Sequence, residues 1–445
     1  MAALYHIILS YSYVAFDKLG RHWRAYFVEG IGMKADLGRL MAERELDAFI
    51  VSGGEHENSV RSYLTHGARL TGGFVVQARS GETLLVVNGM EIDEARRSGH
   101  RCMTYGDLGY YDLYREHGPE QAAVLLYGRL LEQVGVRAGR VGLYGVDDIN
   151  AVIERFQRLR AHYNQYEFVG ESSPTLFDRA CLTKDEAELA RIRSVAERTN
   201  AVVRQVWDFI SGHTSDAQGR LVNAEGQPLT VGVVKRWARR ALLEVDLEDT
   251  GMIFAPGRDG AFPHSRGDDS TELRVGVPIV FDFFPRELGG GYYHDMTRTW
   301  CIGRVPSEVQ ALYDDVMSAF DIALETYALG KPTHTLQEAV LDFFEKRGHP
   351  TPRTNSNPTE GYVHSLGHGI GLNIHEAPSI HHLKREDVFQ AGNVITVEPG
   401  LYYPERAVGV RVEDSFIVEA DGRLVSITPF PKTLLLPLRD GSAAG

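Results

Sequence analysis

The pattern of apolar and polar positions predicts an α/β domain in the first part of the chain. Between Met33 and Ser173, short apolar runs alternate with amphipathic stretches. The pattern predicts helices over 36–46, 91–97, 121–134 and 148–159, and strands over 48–51, 73–76, 83–87, near 102 and over 141–144. Helices and strands that alternate at this length are typical of an α/β domain.

Further along the chain the predicted helices become longer, and pairs of strands separate them. Thr183 and Glu186 have the spacing of a capping box, and apolar residues at intervals of three and four continue to Ile210. The pattern predicts two more helices, over 307–330 and 336–347. Long helices that cover antiparallel hairpins indicate an α+β domain.

The change of pattern gives the predicted domain boundaries. The turn-forming run Ser172-Ser-Pro174 separates a first domain, residues 33–173, from a second domain, residues 174–445. Residues 1–32 contain an aromatic-rich run that is too short to span a membrane and lacks the features of a signal peptide. We expect these residues to be an N-terminal extension without fixed structure that the folded protein does not need. A targeting or docking arm is the alternative.

Composition excludes several classes of protein. The net charge of −13 argues against a general nucleic-acid binder. The three cysteines are far apart and odd in number, so they indicate reduced thiols and a cytoplasmic location rather than a disulfide framework. No apolar run approaches the roughly 18 residues that a membrane helix needs.

Histidines and glycines form the most distinctive stretch of the sequence. His364, His368 and His375 follow one another at spacings of four and seven, and Gly367 and Gly369 flank the middle one. Without a neighbouring Cβ, an imidazole is open to close approach by a metal or a ligand. A lone histidine would more often be packed or solvated, so a functional interpretation depends on partners elsewhere.

Two predicted hairpins each bring a pair of carboxylates together. A turn at the start of the glycine-rich run would place Asp282 opposite Asp295, with Cβ atoms about 5 Å apart. A turn after Pro404 would place Glu398 opposite Glu413, with Arg411 on the same face. Like charges opposite each other destabilise a strand pair unless a cation lies between them.

Four carboxylates and one imidazole, with no thiolate, form a hard, oxygen-rich ligand set. Two divalent cations balance the charge of four carboxylates. The mixed oxygen and nitrogen donors favour Mn²⁺ or Co²⁺ over Ca²⁺ or Mg²⁺. Two such ions about 3.5–4 Å apart can share one water and make it hydroxide near neutral pH.

The chain resembles the M24-type metallopeptidases, the creatinase/aminopeptidase P/prolidase family, in the order of its potential ligands: Asp282, Asp295, His368, Glu398 and Glu413. The blocks that match are 261–265, 282–299, 367–376, 397–400 and 410–414. The resemblance implies an α+β pita-bread catalytic domain preceded by an α/β creatinase-like N-terminal domain. It also implies a homodimer.

The resemblance implies a role for each matching residue. The ligand set would hold two divalent metal ions, most readily Mn²⁺ with Co²⁺ as the alternative, and Glu398 would also move a proton to the leaving nitrogen. His264 and His375 would be catalytic residues that contact the reacting group. Arg411 would orient the second pair of carboxylates, and His364 would bind substrate at the rim of the pocket.

The implied reaction is hydrolysis of the peptide bond before proline by a metal-bridging hydroxide, as in an Xaa-Pro aminopeptidase or dipeptidase. The preference for proline-containing peptides rests on the resemblance alone. Ser379 stands where some dipeptidase relatives have an arginine for the substrate carboxylate, which puts strict dipeptidase action in doubt. The alternatives are another small-molecule hydrolase or lyase on the same fold, and a non-catalytic pita-bread binding protein.

Overall fold

The computed structural model of the chain describes residues 36–54 and 58–438. The predicted extension over 1–32 lies outside the described residues. The elements up to Val169 are α1 (Leu37–Glu43), β1 (Ala48–Gly53), α2 (Ser59–Leu64), β2 (Gly73–Ala78), β3 (Thr83–Val87), α3 (Ile92–Arg96), β4 (Arg101–Thr104), α4 (Tyr110–Gln133), β5 (Gly139–Val146), α5 (Ile149–His162) and β6 (Tyr166–Val169).

These strands form one mixed sheet in the order β4-β3-β2-β1-β5-β6. β1 pairs antiparallel with β2 and parallel with β5. Both faces of the sheet are buried, because Val51, Val75 and Leu85 belong to one core cluster whereas Ile50 and Val76 belong to another. A strand buried on both faces is apolar at successive positions, which explains why β1 lacks an alternating pattern.

Helix α4 begins earlier than the sequence pattern predicts. It starts at Tyr110 rather than near residue 121 and continues through a kink at Gly118, whose φ is +78°. Gly118 and Pro119 look like a helix stop in the sequence, because Pro cannot donate a helical hydrogen bond and disfavours helical backbone before it. Here the chain resumes the helix after the kink.

The elements after Val169 are α6 (Leu176–Ala180), α7 (Glu186–Ser211), β7 (Thr214–Ser215), β8 (Leu221–Val222), α8 (Val231–Leu243), β9 (Leu247–Glu248), β10 (Ile253–Pro256), β11 (Pro278–Phe283), β12 (Arg286–Glu287), β13 (Met296–Ile302), α9 (Ser307–Thr326), α10 (His334–Lys346), β14 (Gly367–Gly369), β15 (Glu376–Ile380), β16 (Val394–Val397), β17 (Gly400–Tyr403), β18 (Val408–Arg411), β19 (Asp414–Val418), β20 (Leu424–Ser426) and β21 (Leu435–Leu436). Two larger sheets, β10-β11-β13-β21 and β15-β14-β16-β19-β20, and the ribbon β17-β18 carry the candidate site. The division into domains at residue 173 stays a prediction.

The capping box before α7 lies two residues later than predicted. Asp185, not Thr183, is the N-cap: its carboxylate accepts from the Glu188 amide at 2.9 Å, and the Glu188 carboxylate accepts from the Asp185 amide at 2.9 Å. The intervening Lys184 amide donates instead to the carbonyl of Gly392 at 2.8 Å. This tertiary hydrogen bond holds the segment outside the helix.

The register of the first hairpin differs from the prediction by two residues. In the β11–β13 pair, Asp282 lies opposite Thr297 rather than Asp295. The turn falls later because Gly289, Gly290 and Gly291 all adopt positive φ, of 83°, 97° and 147°. Side chains alternate between faces with a period of two, so Asp295 stays on the same side as Asp282.

The second hairpin has the predicted register. Gly400 pairs with Arg411 in β17–β18, and Val397 pairs with Asp414 in β16–β19. The same alignment places Glu398 opposite Glu413 in the gap between the two ladders. None of the helices within residues 36–54 and 58–438 is long and apolar enough to cross a bilayer.

Candidate metal centre

The centre of the site is the imidazole of His368 on β14. Its Nε2 lies 3.7 Å from Oδ2 of Asp295 and 3.7 Å from Oε1 of Glu398. Its Nδ1 lies 3.1 Å from the carbonyl of Gly369, which fixes the proton on Nδ1 and leaves Nε2 as a lone-pair donor. Asp295, His368 and Glu413 each offer a ligand atom, and these atoms lie within 4.8 Å of one another.

Three buried carboxylate oxygens around this imidazole lack a hydrogen-bond partner: Oδ1 of Asp282, Oδ1 of Asp295 and Oε1 of Glu413. A buried polar atom without a partner is destabilising, and buried carboxylates normally pair with a donor or coordinate a metal. Carboxylate oxygens beside one imidazole are the donors that Mn²⁺ and related divalent ions accept. The residues present therefore fit a divalent metal site.

The electrostatics of the carboxylates agree with this assignment. Burial raises the pKa of Asp295 and of Glu413 well above the ordinary range, and repulsion from neighbouring carboxylates raises both further. Burial also raises the pKa of Glu398 to about 8, against the opposing effect of Arg411. The protein alone thus disfavours the ionised forms, which a bound cation would stabilise.

Arg411 links the carboxylates of Asp282 and Glu413 through hydrogen bonds. Its Nη2 donates to Oδ2 of Asp282 at 2.6 Å, and its Nε donates to the hydroxyl of Thr297 at 3.1 Å. That hydroxyl donates in turn to Oε2 of Glu413 at 2.9 Å. Asp414, next in the chain, points away into a buried ion pair with Arg298 at 2.9 Å, so its role is structural, as the alternation predicts.

Both ring nitrogens of His364 form hydrogen bonds within the protein. Its Nε2 lies 2.9 Å from the hydroxyl of Tyr402, and its Nδ1 lies 2.7 Å from the carbonyl of Ser365. The Tyr402 hydroxyl also accepts from Nη1 of Arg411 at 2.8 Å, so it donates to His364. Burial lowers the pKa of His364 to about 3, and the ring stays neutral. It has no free nitrogen with which to contact a substrate.

His264 and His375 are the exposed imidazoles near the centre. The ring of His375 lies edge-on to that of His368, with centroids 4.5 Å apart. Partial burial lowers the pKa of His375, and repulsion from His264 lowers it further. The loop of His264 is held by Arg411, whose Nη1 donates to the carbonyl of Pro263 at 3.2 Å.

The glycines beside His368 are explained by close packing of the backbone and not, as the sequence suggested, by access for a ligand. A Cβ on Gly367 would lie 2.1 Å from the carbonyl oxygen of Thr396, and a Cβ on Gly369 would lie 2.1 Å from that of Ala377. The glycines therefore allow the backbones of neighbouring strands to approach β14. They position the imidazole by close packing and do not serve to open a path for a ligand.

Sequence reasoning missed Tyr402 and Thr297. The alternation of β17 offers a signal for Tyr402, since residues 398, 400 and 402 share a face. Thr297 lies in β13 between Met296 and Arg298, and only the corrected register places it opposite Asp282. His381 and His382, which match no predicted role, stack on each other with ring centroids 4.5 Å apart in the segment after β15.

Comparisons with known proteins agree with the predicted family and fold. Residues 190–420 match the sequence model of metallopeptidase family M24. The chain is 30% identical to the probable dipeptidase PepE of Mycobacterium tuberculosis over 259 residues, 58% of this chain and 61% of that protein. It is 26% identical to the putative dipeptidase YkvY of Bacillus subtilis over 375 residues, 83% of this chain and 89% of that protein.

Solved structures show the same fold along most of the chain. The prolidase of Pyrococcus horikoshii superposes with a TM-score of 0.67 and 20% identity, covering 90% of this chain and 98% of that one. The X-Pro aminopeptidase of Thermotoga maritima gives a TM-score of 0.68 and 21% identity over 90% of this chain and 98% of that one. The predicted pita-bread fold is confirmed. Since the family match covers more than half of its residues, the chain belongs to metallopeptidase family M24.

Proposed function

We propose that this protein is a metal-dependent peptidase that hydrolyses the peptide bond before proline. The observation that carries the proposal is the set of buried, partnerless carboxylate oxygens around Nε2 of His368. Its relatives support the substrate class, because an Xaa-Pro dipeptidase of Pyrococcus furiosus is 33% identical over 173 residues, 38% of this chain and 45% of that protein.

The predicted ligand set would hold two divalent ions, with Mn²⁺ as the expected metal and Co²⁺ as the alternative: Asp282, Asp295, His368, Glu398 and Glu413. When bound, two such ions lower the pKa of a shared water and polarise the substrate carbonyl. The side chains of the protein would orient the ligands, transfer protons and bind the peptide.

Glu398 is the residue that we assign to proton transfer. It lies beside His368 and is half-buried, and burial raises its pKa to about 8. Since a cation bound nearby would stabilise the ionised form, this carboxylate could take a proton from the attacking water and then give it to the leaving nitrogen. This second step matters for proline, whose peptide nitrogen is tertiary and carries no hydrogen.

His264 and His375 are the groups that we assign to the substrate side. Both are exposed beside the carboxylates, and neither hydrogen-bonds to one of the predicted ligands in the described structure. A hydrogen bond from His264 to the carbonyl oxygen would strengthen as negative charge develops there. His364 would instead act by holding Tyr402, which in turn contacts Arg411.

The surroundings of position 379 favour an aminopeptidase over a strict dipeptidase. Ser379 offers no cation, and its amide donates to Asp387 at 2.9 Å. The nearby Arg385 is exposed and pairs with Glu338 at 2.7 Å, as a solvated surface residue does. The names of the relatives favour dipeptide substrates, so we keep dipeptidase action as the second candidate.

A direct assay tests the proposal. The purified protein would be stripped with a chelator, reloaded with Mn²⁺ or Co²⁺, and given X-Pro dipeptides, X-Pro-Y tripeptides and matched X-Ala peptides. We expect two bound ions per chain, cleavage of the X-Pro peptides, and loss of cleavage in the stripped protein. Full activity without metal would overturn the proposal, and so would a loaded protein that cleaves none of these peptides. The homodimer and the cytoplasmic location stay predictions.

A further inference from the structure

Lys184 and Glu376 form a buried ion pair beside the candidate metal centre. Nζ of Lys184 donates to Oε2 of Glu376 at 2.8 Å, and the two side chains are only 1% and 7% exposed. Lys184 precedes helix α7, whereas Glu376 begins strand β15, 192 residues later. An ammonium group out of water requires a fixed anionic partner. The pair is therefore a rigid link between two distant parts of the chain.

The other oxygen of Glu376 holds the loop that carries His375. Oε1 accepts from the amide of Asn373 at 2.9 Å and from its side-chain nitrogen at 3.3 Å. The amide of Gly371 donates to the carbonyl of Asn373 at 3.1 Å, which closes the loop over residues 371–376. His375 lies inside this loop, immediately before Glu376.

The same loop contacts the centre from a second side. The carbonyl of Gly371 accepts from the amide of Tyr293 at 2.9 Å, two residues before Asp295. The ring of His375 packs edge-on against that of His368. A displacement of the loop would therefore reach both a proposed catalytic imidazole and the segment that leads to a proposed ligand.

Gly371 shows how closely the loop fits around the ion pair. A Cβ at this position would lie 2.4 Å from Oε2 of Glu376 and 2.8 Å from Cε of Lys184. Both side chains are buried, so a side chain at position 371 would have to displace the ion pair. The last glycine of the run Gly367-His-Gly-Ile-Gly371 is thus explained by its contact with the ion pair.

Lys184 is held in place from its own side as well. Its amide donates to the carbonyl of Gly392 at 2.8 Å, and the side chain of Asn393 donates to the carbonyl of Leu182 at 2.8 Å. These contacts fix Lys184 to the turn before β16, the strand that leads to Glu398. The ammonium group is a fixed point against which the loop over 371–376 is anchored.

We propose that Lys184 is a positioning residue which, through Glu376, holds the loop over 371–376 and keeps His375 at the mouth of the metal centre. Its effect on rate rests on the proposed peptidase function, whereas its effect on the loop does not. A pair that only stabilises the fold would lower stability without a specific effect on His375.

Hydrogen exchange tests the loop without using activity. In Lys184→Met, which keeps an unbranched side chain but removes the ammonium group, we expect the Asn373 and Tyr293 amides to exchange at least tenfold faster. Lys235→Met is the matched control. Lys235 lies on helix α8, its side chain is also buried at 6% exposure, and its ammonium group pairs with Asp269 at 2.9 Å. The control should leave exchange at both amides unchanged. Unchanged exchange in Lys184→Met would overturn the proposal.

A double-mutant cycle tests whether Lys184 acts through His375. We expect Lys184→Met to lower kcat roughly 10- to 100-fold, the usual effect of residues that orient a metal site, and to have almost no further effect in a His375→Ala background. An equal loss in both backgrounds would overturn the proposal.

Should Lys184→Met fail to fold, Glu376→Gln replaces it in both experiments, because it keeps an oxygen for Asn373 and removes the anion. A wild-type protein without peptidase activity would refute the proposed function, and the exchange result would then decide this inference alone.

Discussion

Arg411 donates from Nη2 to Oδ2 of Asp282 at 2.6 Å, while the other oxygen of that carboxylate stays buried without a partner. The same guanidinium donates to Thr297, which holds Glu413, and to Tyr402, which holds His364. One side chain thus orients two carboxylates that approach from different hairpins. Residues that orient ligands in this way prepare a metal site before the ion binds.

Replacement of Arg411 by lysine should weaken metal binding. A lysine ammonium is a compact charge that cannot reproduce the planar, three-directional donation of a guanidinium. We expect the affinity for Mn²⁺ and kcat/KM to fall roughly 10- to 100-fold in Arg411→Lys. Titration calorimetry measures the affinity, and Arg406→Lys, at an exposed arginine that pairs with Glu308, is the control. Unchanged affinity in Arg411→Lys would contradict the proposed role.

The metal-free protein should lose stability as the pH rises from about 7.5 to 8.5. Burial raises the pKa of Glu398 from 4.5 to about 8, so the folded state holds this proton where the unfolded state has released it. Stability therefore falls as pH rises through this window. Burial lowers the pKa of His364 and His368 from 6.5 to about 3 and about 4, which has the opposite effect until the histidines of the unfolded state have lost their protons, at about pH 7.5. Above that pH the buried carboxyl groups dominate.

Urea unfolding in the presence of a chelator, at several pH values between about 7.5 and 8.5, measures this slope. Glu398→Gln should flatten the slope, because an amide does not titrate. Saturation with Mn²⁺ should reverse the trend in the wild type, since ionised carboxylates bind the ion more tightly, and ligand at 100 times its Kd adds about 2.7 kcal/mol of stability. A wild-type protein whose metal-free stability rises across this range would contradict the electrostatic account.

The faces of the candidate ligands could be predicted because they depend on local patterns. Alternation along a strand fixes the face of each residue, so an error of two residues in the register left Asp295 on the side of Asp282. The position of that turn could not be predicted, because three consecutive glycines can each adopt the required positive φ. Glu398 and Glu413 were placed correctly since a single proline and a short turn fix their register.

Interactions between distant segments could not be predicted from one sequence. Lys184 and Glu376 are 192 residues apart, and each resembles an ordinary charged residue near an element boundary. The contact of His364 Nε2 with Tyr402 depends on the meeting of β17 with the segment before β14, whereas Nδ1 contacts the carbonyl of the next residue, Ser365. The capping prediction at Thr183 failed for the same reason, because the turn at Gly392 binds the neighbouring amide.

His264 and His368 should respond differently to replacement by alanine. His368 lies among the carboxylates, whereas His264 is exposed. We expect His368→Ala to lower metal occupancy together with the rate. His264→Ala should keep both ions and lower kcat roughly 10²- to 10⁴-fold, as for the loss of a general acid or an oxyanion donor. Elemental analysis with steady-state kinetics separates the two cases, and loss of metal in His264→Ala would show that its assignment is wrong.

Amidation of the substrate should have little effect on cleavage. A dipeptide specialist must bind the free carboxylate just beyond the scissile bond, and a bidentate arginine is the natural group for it. Position 379 is a serine, and Arg385 is already paired with Glu338 on an exposed surface. We therefore expect kcat/KM for an X-Pro dipeptide and for its C-terminal amide to agree within tenfold.

The size of the amide effect decides between the two substrate classes. A loss of 10²-fold or more on amidation, about 2.7 kcal/mol of transition-state binding, would require a carboxylate-binding group and would make dipeptidase the better description. Arg385→Ala then becomes the informative variant, since it removes the arginine nearest in sequence to position 379. If Arg385 does not bind the substrate, this variant should leave the ratio of the two kcat/KM values unchanged, because its present partner is Glu338 and not a group at the metal centre.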